Sequence, residues 1–213
     1  MNAPANLPAI TLYGTPTSGH THRVELLLRI LELPYAYSEA PEAVRRSAAF
    51  RQRNPLGQIP VLQDGERVLC DSNAILIYLA KRYAPHSGWW PEEAEAAARV
   101  QRWLSIAAGE LKHGPAAARL MVKFNAPGDL AAAHAIADTL LEFMEQHLTK
   151  QQAAGRRFLA LDTPTLADLA CYAYIAHAPE GGIALAPYPH VCDWLTHIER
   201  LPRFQPMPGL PER

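Results

Sequence analysis

A proline at the head of a strand constrains this chain more than any other residue. Pro60 stands before Val61-Leu62 in the run Asn54-Pro55-Leu56-Gly57-Gln58-Ile59-Pro60-Val61-Leu62. Proline cannot donate to a ladder, so within sheets it is confined to strand starts, edges and bulges. An X-Pro bond at such a place is a candidate cis peptide. A cis Ile59-Pro60 bond turns the Ile59 N–H and C=O away from the sheet, free to pair with an extended peptide. Cys70-Asp71-Ser72-Asn73-Ala74-Ile75 follows shortly after, and Asp71-Ser72 stands just before an apolar run, where a helix N-terminus belongs. One segment suits a peptide backbone and the other a carboxylate. Together they point to a small anionic peptide as ligand.

The flanking pattern supplies a scaffold for both. Ala9-Ile10-Thr11-Leu12-Tyr13 alternates as a strand, and Val24, Leu27, Leu28 and Leu31 recur at helical spacing over about His20 to Leu31. Tyr35-Ala36-Tyr37-Ser38 reads as a second strand. Pro41 opens a second helix reaching roughly to Arg51. Val61-Leu62 and Val68-Leu69 flank Asp64-Gly65 as a hairpin, and Asn73 to Arg82 is a third helix. The order βαβαββα implies a mixed sheet covered by helices. Turn chemistry over Tyr83 to Gly88 marks a domain boundary. Beyond it, Glu92 to Val122 is alanine-rich and helical. Gly128-Asp129 starts a helix with an apolar stripe through Leu130, Ala133, Ala137, Leu140, Met144 and Leu148. Thr165-Leu166-Ala167-Asp168 has capping-box spacing and begins a helix through about Tyr174. Val191, Trp194, Leu195 and Ile198 mark the last helix, and Pro202, Pro206, Pro208 and Pro211 keep the tail non-helical.

Bulk properties exclude several classes. With 213 residues and 49% of them apolar, a sizeable core forms without disulfides or metals. Lysine plus arginine (20) nearly equals aspartate plus glutamate (21), which argues against a nucleic-acid surface. The three cysteines, Cys70, Cys171 and Cys192, lack Cys-x-x-Cys spacing and read as unreactive thiols. Met1 to Pro8 lacks a signal-peptide pattern, and no apolar run approaches the ~20 residues of a membrane span. The expectation is a soluble, reduced, cytoplasmic protein.

Gly14-Thr15-Pro16-Thr17-Ser18-Gly19 joins the first strand to the first helix, with neither dinucleotide nor P-loop spacing. Ser18 stands at the helix start. Its plainer role is a cap; its sharper one is to stabilise a thiolate delivered by a ligand. A free thiol of pKa ~8.5 is only a few per cent ionised at neutral pH. Lowering that pKa by ~2 units takes ~2.7 kcal/mol of preferential thiolate stabilisation. A hydrogen bond to a charged group supplies ~1.5–3 kcal/mol, so one hydroxyl at a helix terminus suffices without a protein base. Asp71 and Ser72 likewise read as caps or as binders. In the second reading, the Ser72 hydroxyl and the N–H groups of Ser72 and Asn73 take a ligand carboxylate, and Asp71 pairs with an ammonium.

These segments, together with Asp71-Ser72-Asn73-Ala74-Ile75-Leu76-Ile77-Tyr78-Leu79, resemble the glutathione-binding domain of bacterial cytosolic glutathione S-transferases. The resemblance covers about Ala9 to Arg203 and includes Thr165–Asp168. It implies a thioredoxin-like α/β glutathione-binding domain over residues 1–85 and an all-α domain over 91–213 that contributes the electrophile pocket. It implies a serine-type enzyme in which the Ser18 hydroxyl meets the glutathione sulfur. Ile59, before the cis Pro60, pairs its backbone with the cysteinyl unit; Asp71 and Ser72 hold the γ-glutamyl head; Gln58 touches the peptide. His20 is a variable position, either at the ligand or solvated at the helix start. Trp103, Glu110 and His113 fall in the segment that lines the electrophile pocket. The implied reaction is thiolate attack on a small electrophile by a homodimer, with glutathione as co-substrate and no metal, nucleic-acid or membrane partner. Glutathione-dependent disulfide or peroxide reduction on the same site, and a non-catalytic binding module on the same fold, are the alternatives.

Overall fold

The computed structural model describes residues 10–211. Met1–Pro8, Ala9 of the expected first strand, and residues 212–213 lie outside them. The chain runs through β1 (Ile10–Gly14), α1 (Gly19–Ile30), β2 (Tyr35–Glu39), α2 (Glu42–Arg46), α3 (Ala48–Arg53), β3 (Val61–Asp64), β4 (Arg67–Cys70) and α4 (Ser72–Tyr83). It continues with α5 (Ala94–Ala108), α6 (Ala117–Phe124), α7 (Leu130–Ala153), α8 (Leu166–Ala176) and α9 (Pro189–Glu199). The expected second helix is corrected to two short ones. Ser47 is extended at φ −66°, ψ 150°, and its hydroxyl caps α3 by accepting from Phe50 N–H. A serine that offers the backbone an alternative partner breaks a helix in this way.

The four strands lie in the order β2-β1-β3-β4. β1 runs parallel to β2, with Leu12 opposite Tyr37, and antiparallel to β3, with Leu12 opposite Leu62. β3 and β4 form the hairpin that Asp64-Gly65 signalled, with Leu62 opposite Leu69. Alternation along β1 buries Ile10 and Leu12. Leu26, Leu27 and Leu28 of α1 and Ile75, Leu76 and Leu79 of α4 are buried with them. Each such side chain contributes roughly 1.5–3 kcal/mol of burial.

The helical half does not form a separate core. α8 is buried along its whole length and packs against α1, α4 and α5, so one apolar cluster runs from Leu12 through Leu169 to Trp194. The expected helical stretch from Glu92 to Val122 is interrupted between α5 and α6 by a wide π-type turn, Lys112–Ala116. Pro115 inside it has no N–H to return to the preceding turn. Gly114 there lets the backbone lie against α7: a Cβ would stand 2.9 Å from Ala137 N. α8 starts at the expected capping box. Thr165 Oγ1 accepts from Ala167 N–H at 3.3 Å, and Asp168 accepts from Thr165 N–H at 2.8 Å. No helix among the described residues is long and apolar enough to cross a membrane. Of the cysteines, Cys171 is buried and burial pushes its thiol up to about 12; Cys70 and Cys192 are half-buried, and no two cysteines form a disulfide among the described residues.

Candidate active site

Ser18 is the N-cap of α1. It is extended at φ −88°, ψ 116°, and its Oγ accepts from Thr21 N–H at 3.3 Å. The first turn of α1 carries no acidic residue, so the positive helix end keeps its full attraction for an anion. The ring of His20 packs edge-on against Tyr174, with centroids 5.0 Å apart. His20 Nδ1 lies 3.5 Å from Ser72 Oγ. The solvated alternative for His20 is thereby set aside. Burial, aided by the charges of Arg23 and Lys112, lowers its pKa to about 3 and leaves a neutral imidazole.

Asp71 caps α4 with positive φ, 69°, a region that non-glycine residues rarely occupy. Its Oδ1 accepts from Asn73 N–H at 2.9 Å and Ala74 N–H at 3.0 Å. This corrects one expectation: Asn73 N–H is taken by Asp71, not held for a ligand. Of the donors assigned to a carboxylate, the Ser72 N–H and hydroxyl remain. Ser72 is buried at 5% exposure and its Oγ accepts from Arg23 Nη1 at 3.2 Å. The same Nη1 donates to Asn73 Oδ1 at 2.9 Å. Arg23 is itself buried, and its Nε and Nη2 have no hydrogen-bond partner among the described residues. A cation thus stands behind Ser72, favouring an anionic group on the ligand side.

The Ile59-Pro60 bond is cis. The β3 ladder begins at Val61, so Ile59 lies outside the sheet pairing. Asn54, buried at 5% exposure, shapes this loop: its Nδ2 donates to Gln58 O at 2.9 Å, and its Oδ1 accepts from Leu56 N–H at 3.1 Å. Gln58 is exposed and Ile59 half-buried.

The second half of the chain closes on Ser18 through residues that the sequence left unassigned. Arg119 of α6 is 2% exposed and donates from Nη1 to Thr17 O at 2.9 Å. It is ion-paired with Glu180, which also holds Lys123. Tyr174 of α8 packs against His20 and beside Gly19. Nothing in local spacing marks either residue, because both act across the interface of the two halves. The expected pocket residues divide. Glu110 and His113 are exposed. Trp103 is corrected to a core residue: it is 3% exposed, packs against Phe143 and His147, and donates from its indole N–H to Leu159 O at 3.1 Å. A separate crevice of about 600 Å³ lies on the outer side of α1, between His22, Tyr37 and Pro206, and does not include Ser18.

The buried imidazoles give the fold a pH dependence. Burial lowers the pKa of His20 to about 3 and of His177 to about 4, and lowers His22 and His147 as well. Below pH ~6.5 the unfolded chain therefore binds protons that the folded chain refuses, and stability falls as pH falls. Burial raises Asp168 and works in the opposite sense, one carboxyl against four imidazoles. Acidification from pH 7 to pH 5 is expected to lower the unfolding free energy by on the order of 1–2 kcal/mol per fully buried histidine. Urea titrations at the two pH values check this; an unchanged or higher midpoint at pH 5 contradicts it.

His20 at the start of α1 and Ser72 at the start of α4 thus lie side by side, with Arg23 bonded to Ser72 from behind. The model of the glutathione S-transferase N-terminal domain matches residues 12–87, and that of the C-terminal domain matches residues 124–202. Glutathione S-transferase 3 of Zea mays is 31% identical over 210 residues, covering 92% of this chain and 91% of the maize protein. Glutathione S-transferase theta-1 of Bos taurus is 31% identical over 72% of this chain and 66% of its own length. The crystal structure of a glutathione S-transferase from Pseudomonas fluorescens Pf-5 superposes with a TM-score of 0.86 at 28% identity, covering 94% of this chain and 100% of that one. One from Xanthobacter autotrophicus Py2 gives 0.82 at 30% identity, covering 94% and 98%. This chain belongs to the glutathione S-transferase family.

Proposed function

We propose that the protein binds glutathione in the crevice between the starts of α1 and α4 and activates its thiol at Ser18 for attack on small electrophiles. The observation that carries this reading is the placement of Ser18. It caps a helix whose first turn lacks acidic side chains, with Arg23 and Lys112 close enough to act on neighbouring His20. That field favours thiolate over thiol. The Ile59 backbone, outside the ladder, takes the cysteinyl amide; the Ser72 hydroxyl and N–H take the γ-glutamyl carboxylate; Asp71 takes the ammonium through its second oxygen. Positioning turns a bimolecular encounter into an oriented one. With an aryl chloride, the thiolate sulfur supplies the electron pair of the new C–S bond and chloride leaves with the C–Cl pair. The thiol proton passes to solvent beforehand. A homodimer belongs to the same reading.

The disulfide-reductase alternative needs a sulfur nucleophile from the protein at the helix start, and that position holds serine. Calorimetric titration with glutathione and a conjugation assay with chlorodinitrobenzene test the proposal. Binding with turnover supports it; absence of binding overturns it. Within the site, Asp71→Asn is the informative variant, because asparagine keeps the helix cap while losing the charge. Glutathione affinity is expected to weaken about 5–10-fold, the scale of one charge-assisted hydrogen bond at a rim. An unaltered Kd removes Asp71 from the ligand.

A further inference from the structure

The residue before Ser18 is held by a side chain from the helical half. Arg119 of α6 donates from Nη1 to Thr17 O at 2.9 Å. Its Nε donates to one carboxylate oxygen of Glu180, and the other oxygen accepts from Lys123 Nζ. Glu180 lies in the short 3-10 turn Ala178–Gly181 that follows α8. That turn sits directly on α6: a Cβ on Gly181 would lie 2.7 Å from Arg119 N and 2.9 Å from the Ala118 carbonyl carbon. The remaining guanidinium nitrogen, Nη2, is buried with no hydrogen-bond partner among the described residues.

Stability alone does not account for a guanidinium in this place. In a buried ion pair the cost of desolvation offsets the attraction, and well-packed apolar residues of similar volume often serve a core as well. What an apolar side chain cannot do is bond Thr17 O. A peptide unit is planar, so the Thr17 carbonyl, the Ser18 N–H and the Ser18 Cα move as one body. This plane is gripped at both edges: Arg119 takes the oxygen, and the Ser18 N–H donates to Thr15 O at 3.1 Å. The next peptide is held through Ser18 O, which accepts from His22 N–H at 2.9 Å. With both flanking peptides held, the Cα–Cβ bond of Ser18 has a fixed direction. The grips of Thr15 and His22 travel with the loop and α1, whereas Arg119 ties the plane to the helical half.

We propose that Arg119 is a positioning residue for Ser18: held by Glu180, it fixes the Thr17–Ser18 peptide and thereby the direction in which the Ser18 hydroxyl meets the sulfur of bound glutathione. The proposal rests on the reading of Ser18 given above. No proton moves to or from Arg119 in this role. The planar fork is what matters, because its Nε and Nη1 serve two acceptors at once. A lysine ammonium, a point charge on a flexible stem, does not reproduce that match. A misplacement of ~1 Å at a reacting group can cost ~100-fold in rate, so a loosened plane registers in turnover.

The test is the pKa of the bound glutathione thiol, read from thiolate absorbance across pH in the full chain saturated with glutathione, together with kcat and KM. The variants are Ser18→Ala, Arg119→Lys and Arg119→Met, the last two alone and on the Ser18→Ala background. Arg119→Lys keeps the charge beside Glu180 and gives up the fork. It is expected to raise the thiol pKa by ~0.5–1 unit and lower kcat about 3–10-fold at pH 7, with the glutathione KM unchanged. Arg119→Met is expected to do the same, and Glu180 keeps Lys123 as its cation there. On the Ser18→Ala background neither substitution is expected to shift the thiol further, because the group it acts through is gone. A wild-type thiol pKa in either folded variant, with Ser18→Ala shifted, overturns this proposal alone; a lowered urea midpoint in that same variant then makes Arg119 a structural bridge. A full additional shift in a double variant also overturns it, by showing Arg119 acting on the sulfur by another route. No shift in Ser18→Ala overturns the Ser18 reading, and this proposal with it. Should Arg119→Lys fail to fold, Arg119→Met carries the test.

Discussion

Ser18→Ala is expected to lower kcat/KM for glutathione conjugation ~25-fold at pH 7 while leaving the Kd of glutathione within about threefold. The size follows from ionisation. A bound thiol at pKa ~6.5 is about three-quarters thiolate at pH 7, and one returned to ~8.5 is about 3% thiolate. The peptide contacts at Ile59, Ser72 and Asp71 do not involve the Ser18 hydroxyl, so affinity survives. The decisive measurement is the pH profile. Its acid limb should move up by about 2 units, and the variant should recover most of its rate near pH 9. A uniform loss of rate with an unmoved limb would instead make Ser18 a structural cap of α1. His20 does not confuse the profile, because its depressed pKa of about 3 keeps it neutral throughout.

Asp168→Ala is expected to lower the unfolding free energy by about 3–5 kcal/mol, the range for breaking a buried charged network. Asp168 is fully buried at the start of α8. Its Oδ1 accepts from Leu159 N–H and Trp194 Nε1–H, both at 2.9 Å. Its Oδ2 accepts from Thr165 N–H at 2.8 Å and from the Thr165 hydroxyl at 3.3 Å. Alanine leaves these buried donors without an acceptor and opens a hole between α8, α9 and the preceding loop. Asparagine does not rescue the loss, because whichever way its amide is turned, an NH2 group faces donors. Urea unfolding of both variants decides the matter; a loss below about 1 kcal/mol would mean that the loop and α9 repack around the gap. The effect reaches the site, because α8 carries Tyr174.

The features legible in sequence were those made by neighbours along the chain. Ser18, Asp71, Asp129 and the Thr165–Asp168 box cap their helices as the local spacing indicates. Pro60 opens its strand and Gly65 its hairpin for equally local reasons. What reading misjudged was the environment of side chains whose partners are remote. Trp103 falls in the segment where the resemblance places the electrophile pocket, yet helical phase turns it into the core. Pro41 looked like the start of one helix because the serine that divides it, Ser47, is itself weakly unfavourable rather than forbidden inside a helix.

The sequence by itself determined the caps, the turns, the order of elements and the identity of the group that opens α1, because each depends on residues within a few positions of one another. Only the tertiary structure decided what surrounds that group. Arg119 holds Thr17 from 102 positions away, Arg23 reaches Ser72 across 49, and Tyr174 meets His20 because α8 packs on α1. Such contacts depend on how two helices dock, and docking is set by the shape of a shared apolar core. No local pattern encodes that shape.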